Sequence, residues 1–159
     1  VTVQVAVCGP RHCTEQDQAN AHQVGRLLAR AGVTVICGGG TGVMAAVAAG
    51  ARAENGLVIG VRPNDSTDGA SPDLSAVIVT NMGEARNAII IWSADAVIAV
   101  GGSWGTLSEI ALAKRRGDIP VVALGGWTIL DQHSNPLPDP AITATSPQDA
   151  VNLALGGSR

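Results

Sequence analysis

Val33-Thr34-Val35-Ile36-Cys37-Gly38-Gly39-Gly40-Thr41-Gly42-Val43 carries the decisive pattern of this chain. Residues 33–37 are short and largely β-branched, as a buried strand requires. Residues 38–42 let the chain turn sharply. The small-residue run 43–54 then reads as a helix, closed by Asn55-Gly56. A strand that passes through glycine into a helix is half of a βαβ unit.

The same pattern repeats on both sides. Residues 3–7 form a strand broken by Gly9-Pro10, and Thr14 caps a helix that runs to Ala31, with Gly32 as its stop. Residues 57–61 and 76–79 are strands separated by a loop at 63–73, rich in Asp, Ser, Pro and Gly. A helix over 83–93 leads to a strand at 96–100, a second glycine-rich turn at 101–105, a helix at 106–116 and a strand at 120–124. Residues 125–140 read as irregular, and Ser146-Pro147 starts a last helix with Ser as cap and Pro in the first turn. No linker or repeat divides the chain, so 1–159 is expected to be one Rossmann-like domain. Its sheet is doubly wound and mainly parallel, with helices on both faces. Ligands on such sheets sit beyond the carboxyl ends of the strands, where both glycine-rich turns fall.

Composition narrows the function. The chain has 159 residues, 46% of them hydrophobic, with no Phe or Tyr and three Trp, so its core is built of Val, Ile, Leu and Ala. A net charge of −3 argues against a broad basic surface, and nucleic acid is not an expected partner. No run of apolar residues is long enough to span a membrane. Cys8, Cys13 and Cys37 fit no zinc-site spacing and are expected as buried apolar filling, so no metal is expected. With no signal-peptide pattern after Val1, the expected compartment is the cytoplasm.

Both turns suit an anion. Glycines let backbone N–H groups approach a ligand, and the helix that follows adds its positive end. The candidate binding residues are Gly9, Arg11, Gly39, Gly40, Thr41, Gly42, Gly102, Ser103, Trp104, Gly105 and Thr106, for a phosphate on a small ligand. The stretch 40–45 also fits a G-x-G-x-x-A dinucleotide fingerprint. It follows the second strand rather than the first, however, and Arg62 stands where a ribose-binding acid belongs, so no cofactor is assigned. Arg86, early in its helix, is either a surface partner of Glu84 or an anion ligand. Glu109 is either the end of a Thr106-x-x-Glu109 capping box or a carboxylate at the mouth of the cleft. His12, on the loop after the first strand, is a minor candidate.

Gly39-Gly40-Thr41-Gly42-Val43-Met44, Ala85-Arg86-Asn87, Ser93-Ala94-Asp95 and Gly105-Thr106-Leu107-Ser108-Glu109-Ile110 together resemble the LOG-like family, often labelled as lysine decarboxylases. Within it, the chain looks most like the short bacterial branch similar to molybdenum cofactor carrier protein. The resemblance covers residues 3–124 and implies a Rossmann-like fold shared with DNA-processing protein A. Active LOG enzymes carry P-G-G-x-G-T-x-x-E and an upstream Met-x-x-Arg-Lys. They release base and ribose 5-phosphate from nucleoside 5′-monophosphates. The resemblance puts the family's Glu on Glu109 and its Arg on Arg86, as catalytic residues. The family's Pro is Gly101 here, its second Gly is Ser103, and its Lys is Asn87. The resemblance also implies a homodimer or higher homo-oligomer.

Two functions follow as expectations. One is a phosphoribohydrolase; the other is a non-catalytic carrier or sensor of molybdenum cofactor or another phosphorylated pterin or nucleotide. Lysine decarboxylation is excluded on the residues. A pyridoxal-phosphate enzyme needs a Schiff-base lysine, and the chain's single lysine, Lys114, lies between helical neighbours and Arg115-Arg116.

Overall fold

A computed structural model describes residues 1–156. The strands are β1 (Gln4–Cys8), β2 (Thr34–Cys37), β3 (Val58–Arg62), β4 (Ala76–Val79), β5 (Ala96–Val100), β6 (Val121–Leu124) and β7 (Ile142–Ala144). The helices are α1 (Glu15–Arg30), α2 (Val43–Ala53), α3 (Arg86–Trp92), α4 (Trp104–Arg116) and α5 (Pro147–Gly156). All seven strands pair in parallel in the order β4-β3-β2-β1-β5-β6-β7. The order reverses between β1 and β5, and a crevice opens beyond the strand ends at such a reversal.

Alternation along the strands explains the two-sided core. Val5 and Val7 of β1 join one buried cluster with α1, α2 and α5, while Ala6 and Cys8 join a second with α3 and α4. The Ala-rich sequence of α2 has a steric reason. A side chain on Gly50 would run into the His22 carbonyl of α1, so the two helices meet almost backbone to backbone.

Thr14 caps α1 in a full capping box with Asp17, and the Ser146 hydroxyl accepts from the Asp149 N–H at the start of α5. Residues 125–140 are irregular, as expected, but an unforeseen edge strand, β7, follows them; it is three residues long and mostly exposed, too little to leave a periodic signal. Other expectations need correction. The helix expected over 83–93 opens as a 3-10 turn, Gly83–Ala85, and is α-helical only from Arg86. α4 begins at Trp104 rather than Thr106. Its cap is Ser103, whose Oγ accepts from the Thr106 N–H at 3.1 Å, so of the two readings of Glu109 the capping box with Thr106 does not hold. The serine lies one turn earlier, and a serine in extended backbone caps as well as a threonine does.

Candidate functional site

The loops after β1, β3 and β5 surround a cavity of about 640 Å³. Gly9, Arg11, Arg86, Ser103, Trp104, Gly105, Thr106 and Glu109 line it together with Met44, Asn87 and His12. Nine of the residues singled out from the sequence, with the minor candidate His12 among them, therefore meet at one place. Gly39, Gly40, Thr41 and Gly42 do not line it, and Gly102 lines a neighbouring cavity instead.

Steric crowding separates the two glycine turns. A Cβ on Gly38 would fall on Arg86 Nη1 and lie 2.6 Å from Met44 Sδ. One on Gly40 would lie 3.0 Å from Arg62 Nη1, and one on Gly42 would strike the Pro10 and Arg11 carbonyls. The first N–H of α2, from Val43, already donates to the Pro10 carbonyl at 3.1 Å. The first turn is thus filled by protein. At the second turn, a Cβ on Gly105 would meet nothing nearer than Ser103 Oγ, 3.9 Å away. A helix leaves its first N–H groups without intrahelical partners. In α4 the Ser103 side chain takes that of Thr106, and Trp104 and Gly105 sit on the cavity wall.

Arg86 is not a surface partner of Glu84. Its Nη1 donates to the Gly38 carbonyl at 2.9 Å and the Val61 carbonyl at 2.7 Å, bridging the ends of β2 and β3, while its buried Nε has no partner. Burial lowers its pKa; the nearby Glu109 carboxylate opposes this, and Arg62 and Arg11 add to it. Arg62, which the sequence marked only as a missing acid, is buried behind the cavity. It donates from Nη2 to the Asp68 carbonyl at 3.1 Å, and its Nε is also unpartnered. Arg11 and Arg86 line the cavity beside the carboxylates of Glu84 and Glu109, with the Arg62 guanidinium buried near by, so cationic groups that suit an anion stand at this edge.

Glu109 projects from α4 into the same cavity. Its residue surface is partly open, yet protein crowds the carboxyl group enough for burial to raise its pKa, against the Cys8 thiol, which donates a hydrogen bond to it, and Arg86. The same burial and the same carboxylate push the Cys8 thiol well up, so it stays a neutral donor. Burial likewise raises Cys37 to about 11. Cys8 and Cys37 are fully packed, as expected, and Cys13 is partly exposed. Asn87, which stands in place of the family's Lys, donates from Nδ2 to Ser108 Oγ at 3.3 Å and ties α3 to α4. Met44 and Asn87 are site residues that sequence reasoning missed. Each was in a quoted motif, but only the packing turns it toward the cavity.

No group of three or more His, Cys, Asp or Glu that could hold a metal ion stands together among the described residues. None of their helices is long and apolar enough to cross a membrane.

A parallel sheet with a cleft at its order reversal defines a Rossmann-like protein with a ligand-sized site. The model of the SLOG cluster4 family matches residues 2–151, and the chain belongs to that family. It is 36% identical to an uncharacterized protein of Archaeoglobus fulgidus, over 98% of this chain and 97% of that one. It is 35% identical to the cytokinin riboside 5′-monophosphate phosphoribohydrolase of Mycobacterium tuberculosis, over 70% of this chain and 64% of that one. Among solved structures, the molybdenum cofactor binding protein of Rippkaea orientalis superposes with a TM-score of 0.88 at 34% identity, covering 100% of this chain and 99% of that one. The molybdenum cofactor carrier protein of Chlamydomonas reinhardtii gives 0.80 at 30% identity, covering 98% and 99%.

Proposed function

We propose that the cavity binds a small phosphorylated ligand and that the protein is a phosphoribohydrolase, cleaving the N-glycosidic bond of a nucleoside 5′-monophosphate. One observation carries this reading: Arg86 and Glu109 face a single cavity whose wall is the open N-terminal turn of α4. The phosphate sits against Ser103, Gly105 and Thr106, where N–H groups and the helix dipole favour it. Arg86, fixed by two carbonyls, presents its remaining N–H donors to the ligand and offsets negative charge as the bond breaks. Glu109 stabilises the oxocarbenium-like sugar and takes a proton from the attacking water, and a raised pKa makes a carboxylate a stronger base for that step. The relative from Mycobacterium tuberculosis, whose name states this reaction, supports the reading. Gly39 and Gly40 contribute by leaving room for Arg62 and Met44, Gly42 by letting the chain pass the Pro10 and Arg11 carbonyls, and Gly102 by shaping its turn.

A second reading is a carrier or sensor of molybdenum cofactor or another phosphorylated pterin. The full-length likeness to the protein from Rippkaea orientalis favours it. Incubation with AMP and an N6-substituted analogue separates the two. Free base that disappears in Glu109→Gln supports hydrolysis; no base, together with tight pterin binding, establishes the carrier. We further infer a cytoplasmic homo-oligomer. The exposed Trp92 and Leu112 on α3 and α4 support association, which sedimentation measures directly.

A further inference from the structure

His12 lines the cavity and takes no part in the chemistry described above. It stands on the short turn between β1 and α1, and that turn is pinned at both ends. The Val43 N–H at the start of α2 donates to the Pro10 carbonyl at 3.1 Å, and a Cβ on Gly42 would strike the Pro10 and Arg11 carbonyls. A Cβ on Gly9 would run into Val43 and the Val100 carbonyl. On the other side of His12, Thr14 caps α1. His12 is thus held in place at the cavity with its surface open to solvent, from which it can be recharged with protons.

The turn that carries His12 leads into α1, which packs on the sheet face shared with α2 and α5, whereas α4 packs on the face shared with α3. His12 and Glu109 therefore reach the cavity from opposite faces of the sheet. Hydrolysis of an N-glycosidic bond by direct attack of water needs a base for the water on one side of the sugar carbon and an acid for the departing ring on the other. With Glu109 as the base, the acid belongs across the cavity. Glu84 precedes α3 and so comes from Glu109's face. The opposite side is lined by Gly9, Pro10, Arg11, His12 and Met44. Arg11 does not release its proton, and Gly, Pro and Met side chains have none to give. Imidazole both gives and takes a proton near neutral pH. We propose that His12 is the general acid of the hydrolysis. Its ring N–H protonates a nitrogen of the purine as the C1′–N9 bond breaks and that bond's electron pair passes to the ring. Glu109 takes a proton from the water whose oxygen bonds to C1′. The products are neutral base and ribose 5-phosphate; His12 then regains a proton from solvent and Glu109 gives one up. This rests on the phosphoribohydrolase reading above and adds its second proton-transfer group. The charged groups that share the cavity with His12 are Arg11, Glu84, Arg86 and Glu109.

The test measures base release from AMP and from 7-methylguanosine 5′-monophosphate. The methylated base already carries a positive charge and leaves as a neutral ring without a proton. His12→Gln is expected to lower kcat on AMP about a hundredfold or more with KM little changed, and on the methylated substrate by less than about threefold. Added imidazole is expected to raise the kcat of His12→Ala on AMP by about tenfold. Glu109→Gln is expected to lose both substrates. An equal loss of both substrates in His12→Gln overturns the assignment and makes His12 a binding group. If wild type does not cleave the methylated substrate, imidazole rescue on AMP decides, and its failure overturns the assignment. AMP cleavage that Glu109→Gln abolishes and His12→Gln leaves within about threefold of wild type overturns the general acid alone, with the phosphoribohydrolase reading still standing. No base from either substrate with wild type removes that reading, and the general acid with it.

Discussion

Replacing Gly105 by Ala separates a glycine kept for a ligand from one kept for packing. Gly105 is the second residue of α4, its φ is not in the left-handed region, and its surroundings are open out to 3.9 Å. An added methyl group therefore strains nothing. Ala is favoured over Gly within a helix by about 1 kcal/mol, and somewhat less in the first turn, so a gain of about 0.5–1 kcal/mol is expected. For a chain of this size that is roughly 2–3 °C in Tm. The same methyl occupies space that a phosphate oxygen needs to reach the N–H groups of the turn. Loss of one hydrogen bond to a charged group costs about 1.5–3 kcal/mol, or roughly ten- to a hundredfold in Kd. Thermal melting and titration with ribose 5-phosphate read the two effects separately. Unchanged affinity would refute the placement of the phosphate, and a loss of stability above about 1 kcal/mol would refute the open space.

Gly38→Ala is expected to do the opposite in a melt. Its Cβ displaces Arg86 Nη1 from the Gly38 and Val61 carbonyls, a loss of about 3 kcal/mol or more by urea denaturation; a cost below 1 kcal/mol would mean that the clamp is not as described. Burial raises the folded pKa of Glu109, so the stability tied to its neutral form is full below the unfolded carboxylate range and is lost as pH rises through the folded value. Glu109→Gln should therefore melt close to wild type near pH 4 and increasingly above it toward pH 8; a flat or inverted difference sinks the assignment. Arg116 donates from Nη1 to the Ile91 and Ala94 carbonyls at 2.7 and 2.8 Å and stacks on Trp92 at 4.9 Å, so Arg116→Ala is expected to cost about 2–4 kcal/mol in a denaturant titration. If it costs under 1 kcal/mol, the bonds that tie the end of α4 to α3 are worth little.

The fold was readable because its signals are local. Each buried parallel strand is a short apolar run, and each turn to a helix carries glycine or a capping side chain, as at 33–43 and 14–17. β7 escaped because it is a three-residue edge strand whose existence depends on pairing with β6. Arg86 and Glu109 were found as residue types at family spacing, but their environment was not legible. That Arg86 is clamped by carbonyls of residues 38 and 61, and that the Cys8 thiol stands beside Glu109, depends on contacts across 25 or more positions of sequence.

The glycine-rich turns show the division most plainly. As strings, 38–42 and 101–105 look like equivalent anion cradles. Packing makes them different: guanidinium groups and a thioether crowd Gly38 and Gly40 of the first, while the second, crowded at Gly101 and Gly102, stays open at Gly105 on the cavity wall. Sequence alone determined the strand–helix alternation, the parallel sheet and the edge at which the candidate site lies, because hydrophobic period and turn chemistry act between near neighbours. Which turn faces the cavity, where Arg62 is buried and how His12 and Glu109 come to line one cavity were decided only by the tertiary structure. These depend on which atoms occupy the same space once the sheet has closed, and distance along the chain carries no information about that.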